Sequence, residues 1–146
     1  MTKSDIDETA AIAPNNLVGG EADCMTKSVI LIEDERNIIE AVSFILSREG
    51  WHVRTHSNGH DAVEVVRLRR PDLVILDVML PGKSGFDILQ EIRADAELEH
   101  IPVLMLTARG QDKDREFAER AGANRFMTKP FSNAEVLEAA RELVAT

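Results

Sequence analysis

Three carboxylates, a hydroxyl and an ammonium group fall at corresponding places along this chain. Glu33 and Asp34 follow the apolar run 29–32, Asp77 follows 73–76, Thr107 follows 103–106 and Lys129 follows 126–128. Asp77 is the most informative of them. The run Leu73-Val74-Ile75-Leu76 stops at it, and Val78-Met79-Leu80-Pro81-Gly82 starts a loop directly afterwards. If the runs are parallel strands, all of these side chains sit at strand carboxyl ends, and right-handed crossovers bring those ends to one rim of the sheet. Singly, each residue reads as a solvated loop residue or a helix cap. Together on one rim they read as a site.

The chemistry of the set is interdependent. Carboxylates about 4 Å apart repel by roughly 4 kcal/mol per pair at an effective dielectric near 20, so the group requires a cation. Hard oxygen donors without Cys or His suit Mg²⁺ or the similar Mn²⁺, an ion that keeps waters and bridges to phosphate. Asp77 is then a metal ligand, a nucleophile or both. A carboxylate can attack phosphorus to give an aspartyl phosphate. Lys129 would clamp a phosphoryl oxygen and Thr107 would donate a hydrogen bond to another.

Periodicity supplies the elements that must hold these groups. Short apolar runs at 29–32, 73–76, 103–106 and 126–128, with a fifth strand over 51–56, alternate with amphipathic stretches such as Ile38, Val42, Ile45 and Leu46. Gly50, Pro71, Gly110 and Gly122 mark the joins. Strict alternation of strand and helix predicts an α/β fold, a parallel sheet with helices on both faces. Three of the runs are continuously apolar, as central parallel strands are. The run at 51–56 alternates His52, Arg54 and His56 with Val53 and Thr55, and is predicted to be an edge.

Length and composition bound the rest. At 146 residues and 44% hydrophobic content, one sizeable core is expected. A net charge of -9 argues against attraction to nucleic acid or anionic lipid. Cys24 is the single cysteine and cannot form an intramolecular disulfide. No apolar run reaches membrane-spanning length and the N-terminus is too acidic for a leader, so a cytoplasmic protein is expected. Residues 1–27 carry five acids against two lysines with no sustained apolar period, and predict a disordered tail before a domain over 28–146. Within that tail Met25-Thr26-Lys27-Ser28 repeats Met1-Thr2-Lys3-Ser4, which makes Met25 a candidate second start.

Four ordered blocks now resemble one family. They are Val29-Ile30-Leu31-Ile32-Glu33-Asp34-Glu35, Leu73 through Gly82, Val103-Leu104-Met105-Leu106-Thr107-Ala108-Arg109 and Phe126-Met127-Thr128-Lys129-Pro130-Phe131. Over 28–144 the chain resembles the receiver domains of two-component response regulators, in flavour those of the OmpR/PhoB type. The resemblance implies a flavodoxin-like, doubly wound (βα)5 fold with strand order 2-1-3-4-5. It implies that Asp77 is the phosphoacceptor, that Asp34 binds Mg²⁺ directly and Glu33 through water, and that the Met79 backbone carbonyl completes the metal site. It also implies a cis peptide between Lys129 and Pro130.

By the same resemblance Thr107 and Phe126 are the switch pair, the hydroxyl turning to the phosphoryl group and the aromatic following it inward. The chain has no tyrosine, so no phenol oxygen can hold the aromatic outward. Met79 and Arg109 flank the approach of water, and their size predicts slow loss of the phosphoryl group. The implied partners are a sensor histidine kinase or histidine phosphotransfer protein and a downstream protein target. The implied protein is no enzyme on external substrates, but one that autocatalyses its own phosphorylation and dephosphorylation.

Relatives of this type dimerise through the fourth helix, fifth strand and fifth helix. Here the acidic pair expected before the aromatic reads Asn124-Arg125, which removes charges that pair across such a dimer. A monomer or a phosphorylation-dependent dimer is therefore expected, acting as a single-domain messenger. Two other readings are weaker. A pseudo-receiver that only binds would have lost Asp77, Lys129 or an acid. A haloacid-dehalogenase-type phosphatase carries a second aspartate two residues after its nucleophile, and that position is Met79. Gly82-Lys83-Ser84-Gly85 lacks the spacing of a nucleotide loop, and His52, His56 and His60 lie on a short strand and turn where four-residue spacing does not gather metal ligands.

Overall fold

The computed structural model describes residues 26–108 and 112–144, so the tail expectation up to Met25, and Arg109, lie outside the described residues. Five strands and five helices alternate there. They are β1 Ser28–Ile32, α1 Arg36–Arg48, β2 His52–His56, α2 Ala62–Arg69, β3 Leu73–Asp77, α3 Gly85–Ala94, β4 Val103–Thr107, α4 Asp112–Ala121, β5 Arg125–Thr128 and α5 Asn133–Val144. All four pairings are parallel and the sheet runs β2-β1-β3-β4-β5, the doubly wound order that the family resemblance implied. β2 is an edge, as its alternating polar residues predicted.

Each face of the sheet builds one half of the core. Val29, Leu31, Leu73, Ile75, Leu104 and Leu106 meet Val42 and Leu46 of α1 and Val136, Ala139 and Ala140 of α5. Ile30, Ile32, Val74, Leu76, Val103 and Met105 meet α2, Ile88, Leu89 and Ile92 of α3, and Ala118 of α4. Successive residues of a strand alternate between the two halves. Both halves need aliphatic residues, so β1, β3 and β4 read as unbroken apolar runs. Each fully buried aliphatic side chain contributes about 1.5–3 kcal/mol. Among the described residues no helix is long and apolar enough to cross a membrane.

Two strand ends differ from the sequence reading. Thr107, placed there just beyond its apolar run, is the last residue of β4, while Asp77 ends β3 as the sequence reading had it. Their backbones remain in the ladder: Val78 N–H donates to Leu106 O at 2.9 Å and Lys129 N–H donates to Thr107 O at 2.7 Å. A polar side chain at the rim does not interrupt backbone pairing. At the opposite end β2 starts at His52 rather than Trp51. Trp51 N–H donates to Leu46 O and closes the end of α1 instead.

Candidate functional site

The rim at the carboxyl ends of the strands gathers Glu33, Asp77, Thr107 and Lys129, the first three of them buried. β1 ends at Ile32 and α1 starts at Arg36, so Glu33, Asp34 and Glu35 form the short turn between strand and helix. β3 carries Asp77 to the rim as a strand terminus, 2% exposed. The Lys129-Pro130 peptide is cis, as the resemblance implied. Lys129 Nζ lies 2.7 Å from Glu35 Oε1, 3.1 Å from Glu33 Oε1 and 3.3 Å from Asp77 Oδ1. Burial pulls this ammonium toward its neutral form, but Glu35, Asp77 and Glu33 outweigh that and raise its pKa above the ordinary lysine value.

Glu33 is fully buried. Its Oε2 accepts hydrogen bonds from the backbone N–H of Asp34 at 3.1 Å and of Glu35 at 3.0 Å. Its Oε1 is buried and accepts no well-directed hydrogen bond. Burial first, and then the charge of Asp77, push its pKa up to about 7, against lowering by the Glu35 backbone N–H and Lys129.

The donor set fits a hard divalent ion. One carboxylate oxygen each from Glu33, Glu35 and Asp77 lie within 4.8 Å of one another. These three carboxylates face a single ammonium, and one buried oxygen lacks a directed donor, which is the arrangement an oxygen-seeking cation completes. Asp34 is not among the three: its carboxylate is exposed and lines an open cavity of about 650 Å³ with residues 78–84, the loop that follows Asp77. Met79, whose backbone N–H donates to Asp77 Oδ1 at 3.3 Å, is also on that wall and is 66% exposed.

Glu35 is the site residue that sequence reasoning missed. Glu35 has extended backbone, with φ -82° and ψ 117°, and two residues apart along an extended segment face one side. Glu33 and Glu35 therefore converge on Lys129 while Asp34 faces the cavity.

Thr107 and Phe126 lie on one face of the sheet. Phe126 pairs in register with Met105, two residues before Thr107, and both Met105 and Phe126 belong to the core under α2, α3 and α4. Phe126 is buried, with the Arg115 guanidinium of α4 5.4 Å from its ring centroid. The two residues before it are engaged within the domain. Asn124 Oδ1 accepts from Arg93 at 2.8 Å and from the Val103 N–H at 2.9 Å, and Arg125 pairs with Glu142 of α5.

The pKa of Glu33 predicts how the metal-free protein responds to pH. In the unfolded chain Glu33 ionises near its ordinary 4.5; in the native state it does so at about 7. Between those values the native state holds a proton that the unfolded state has lost, so this group lowers stability as pH rises from 4.5 to 7. His52 acts in the opposite sense below pH 6.5, because burial, Arg54 and Arg69 lower its pKa. The comparison with Glu33→Gln cancels that contribution. In chelator, the urea midpoint of Glu33→Gln is expected to gain on wild type steadily from pH 4.5 to 7; a constant difference across that range would refute the assignment.

A family model described as response regulator receiver domain matches residues 29–141. The probable transcriptional regulatory protein TcrX of Mycobacterium tuberculosis is 42% identical over 123 residues, 84% of this chain and 52% of that protein. The chain thus spans about half the length of this curated relative. A putative response regulator from Chloroflexus aurantiacus J-10-fl superposes with a TM-score of 0.79 at 28% identity, over 83% of this chain and 99% of that one. The receiver domain of the sensor histidine kinase PA1611 from Pseudomonas aeruginosa PAO1, with a magnesium ion coordinated in its active site cleft, gives 0.76 at 28% identity, over 83% and 99% of the chains.

Proposed function

Because the chain belongs to the response regulator receiver domain family, we propose that Asp77 accepts a phosphoryl group from a sensor histidine kinase or a histidine phosphotransfer protein. The observation that carries this reading is the Asp77 carboxylate itself, buried at the end of a central strand with an ammonium 3.3 Å away. Burial strips water from the nucleophile, and the strand terminus holds it still. One Asp77 oxygen forms the bond to phosphorus as the nitrogen–phosphorus bond of the donor breaks, the electron pair staying on that nitrogen and the imidazole leaving neutral with the proton its other ring nitrogen already carries.

Lys129 turns from Glu35 to bind an oxygen of the incoming group, and the Thr107 hydroxyl donates to another. Glu33, Asp34, Asp77 and the Met79 carbonyl would hold Mg²⁺ or Mn²⁺, with Glu35 in reach of the same ion. When bound, that ion neutralises charge on the phosphoryl oxygens. The chain turns over no external substrate: it accelerates gain and loss of its own phosphoryl group in the cytoplasm. Thr107 and Phe126 pass the change to the α4–β5–α5 face, where a downstream protein, or a second copy after phosphorylation, reads it.

Incubation with Mg²⁺ and acetyl phosphate tests the reading. One phosphoryl group per chain is expected by intact mass, acid-stable, base-labile, abolished by chelator and mapping to the peptide that contains Asp77. A label stable to base, or on another peptide, would overturn it.

A further inference from the structure

A cavity of about 270 Å³ opens at the opposite end of the sheet from Asp77, between the edge strand β2 and the last turn of α2. It lies against the first residues of β1, Ser28 to Ile30, whereas Asp77 is the last residue of the parallel β3. Its walls are of two kinds. Ile30, Leu68 and Pro71 are apolar, and Leu68 is 76% exposed. His52, Arg54 and Arg69 are basic.

Among the described residues none of these three cations is within ion-pair distance of a carboxylate. Arg67, Arg70, Arg120, Arg125 and Arg141 each meet a carboxylate, in a chain with 26 acidic and 17 basic residues. Among the described residues Arg54 and Arg69 have no ion-pair partner. Their charges accumulate instead: burial and then the charge of Arg69 lower the pKa of Arg54, and burial, Arg54 and Arg69 lower that of His52. The adjacent acid, Asp72, is engaged elsewhere, accepting from the Ser28 N–H at 2.8 Å and the Ser28 hydroxyl at 3.3 Å. The carboxyl end of α2 favours a cation at Arg69 through its dipole. That account does not extend to His52 and Arg54 on β2.

We propose that this cavity binds a phosphomonoester, its phosphate between the guanidinium groups of Arg54 and Arg69 and its organic body against Ile30, Leu68 and Pro71. Guanidinium forks match phosphate oxygens in pairs. A dianion neutralises both arginines, where a carboxylate neutralises one. The space beyond the cations is walled by aliphatic groups, one of them exposed to water, and an organic substituent covers them. No covalent step is involved, and the site is independent of Asp77.

The test is a backbone amide NMR titration of the full chain with phenyl phosphate, inorganic phosphate and benzoate at constant ionic strength. Chelator excludes metal-dependent chemistry at Asp77. Phenyl phosphate is expected to shift residues 28–30, 52–54 and 68–71 to saturation, more tightly than inorganic phosphate or benzoate. Arg54→Gln and Arg69→Gln should each weaken it roughly 10-fold or more, the loss of a charge-assisted contact, with phosphoryl uptake at Asp77 unchanged. If Arg54→Gln fails to fold, Arg69→Gln on the exposed helix end decides. Shifts that do not saturate, equal affinity for all three anions, or undiminished binding to Arg69→Gln would overturn the proposal.

Discussion

Asp77→Asn is expected to take up no phosphoryl group from acetyl phosphate and, in chelator, to unfold at a higher urea concentration than wild type. The two effects have one source. A carboxamide cannot form the bond to phosphorus, yet it matches the carboxylate in shape, so the strand end is undisturbed. Glu33, Glu35 and Asp77 crowd oxygens within 4.8 Å of one another around Lys129. Removing the Asp77 charge deletes one attraction to Lys129, which keeps Glu35 at 2.7 Å and Glu33 at 3.1 Å. It also deletes two repulsions and the burden of a buried anion. The balance favours the variant by on the order of 1 kcal/mol. Because the charge of Asp77 helps raise the pKa of Glu33, that pKa should fall as well. Mg²⁺ should then stabilise wild type more than the variant, which lacks a ligand. Intact mass and urea midpoints with and without Mg²⁺ check this. Any label on the variant, or a lower midpoint in chelator, would contradict the account.

Gly85→Ala is expected to lose stability and phosphoryl uptake together. Gly85 opens α3 beneath the end of β3, and its N–H donates to Val78 O at 2.9 Å. A Cβ at this position would collide with the Asp77 carbonyl oxygen and stand 2.9 Å from Val78 Cα and 3.0 Å from the Asp77 carbonyl carbon. Those atoms belong to backbone and cannot rotate aside, so helix and strand end must separate. Overpacking of this kind costs about 1–3 kcal/mol, at times more. Here the displaced atoms are those that aim the nucleophile. Gly50→Ala is the contrast: nothing lies within 4 Å of its added Cβ, and only its φ of 90° opposes a side chain. It should lose some stability and keep uptake. Wild-type uptake in folded Gly85→Ala would show that the close approach does not position Asp77.

Much of this protein is legible in local pattern. The runs at 73–76 and 103–106 announce strands buried on both sides because both sheet faces are covered by helices, and β2 announces an edge through His52, Arg54 and His56. Asp77, Glu33, Thr107 and Lys129 fall on one rim because each follows or ends its own strand, a property of register that every segment carries by itself. The strand order needed the family resemblance, since alternation alone does not rank the strands.

Other features arise only where segments far apart in the chain meet. Glu35 joins Lys129 across 94 positions, while Asp34, more prominent in the sequence, faces a cavity. The pKa of Glu33 depends on how completely β1, β3 and β5 exclude water from one carboxylate. Arg125, read as a loss of pairing between copies, is paired with Glu142 inside the domain, and Gly85 looks like an ordinary loop glycine until the Asp77 carbonyl is placed against it. Periods of two and 3.6 residues are written in neighbouring side chains, so the sequence by itself determined the strands, the helices and the rim that holds the acids. Distances between groups remote in sequence depend on how helices seat on the sheet, so only the tertiary structure decided which carboxylates share the lysine and which arginines line one cavity.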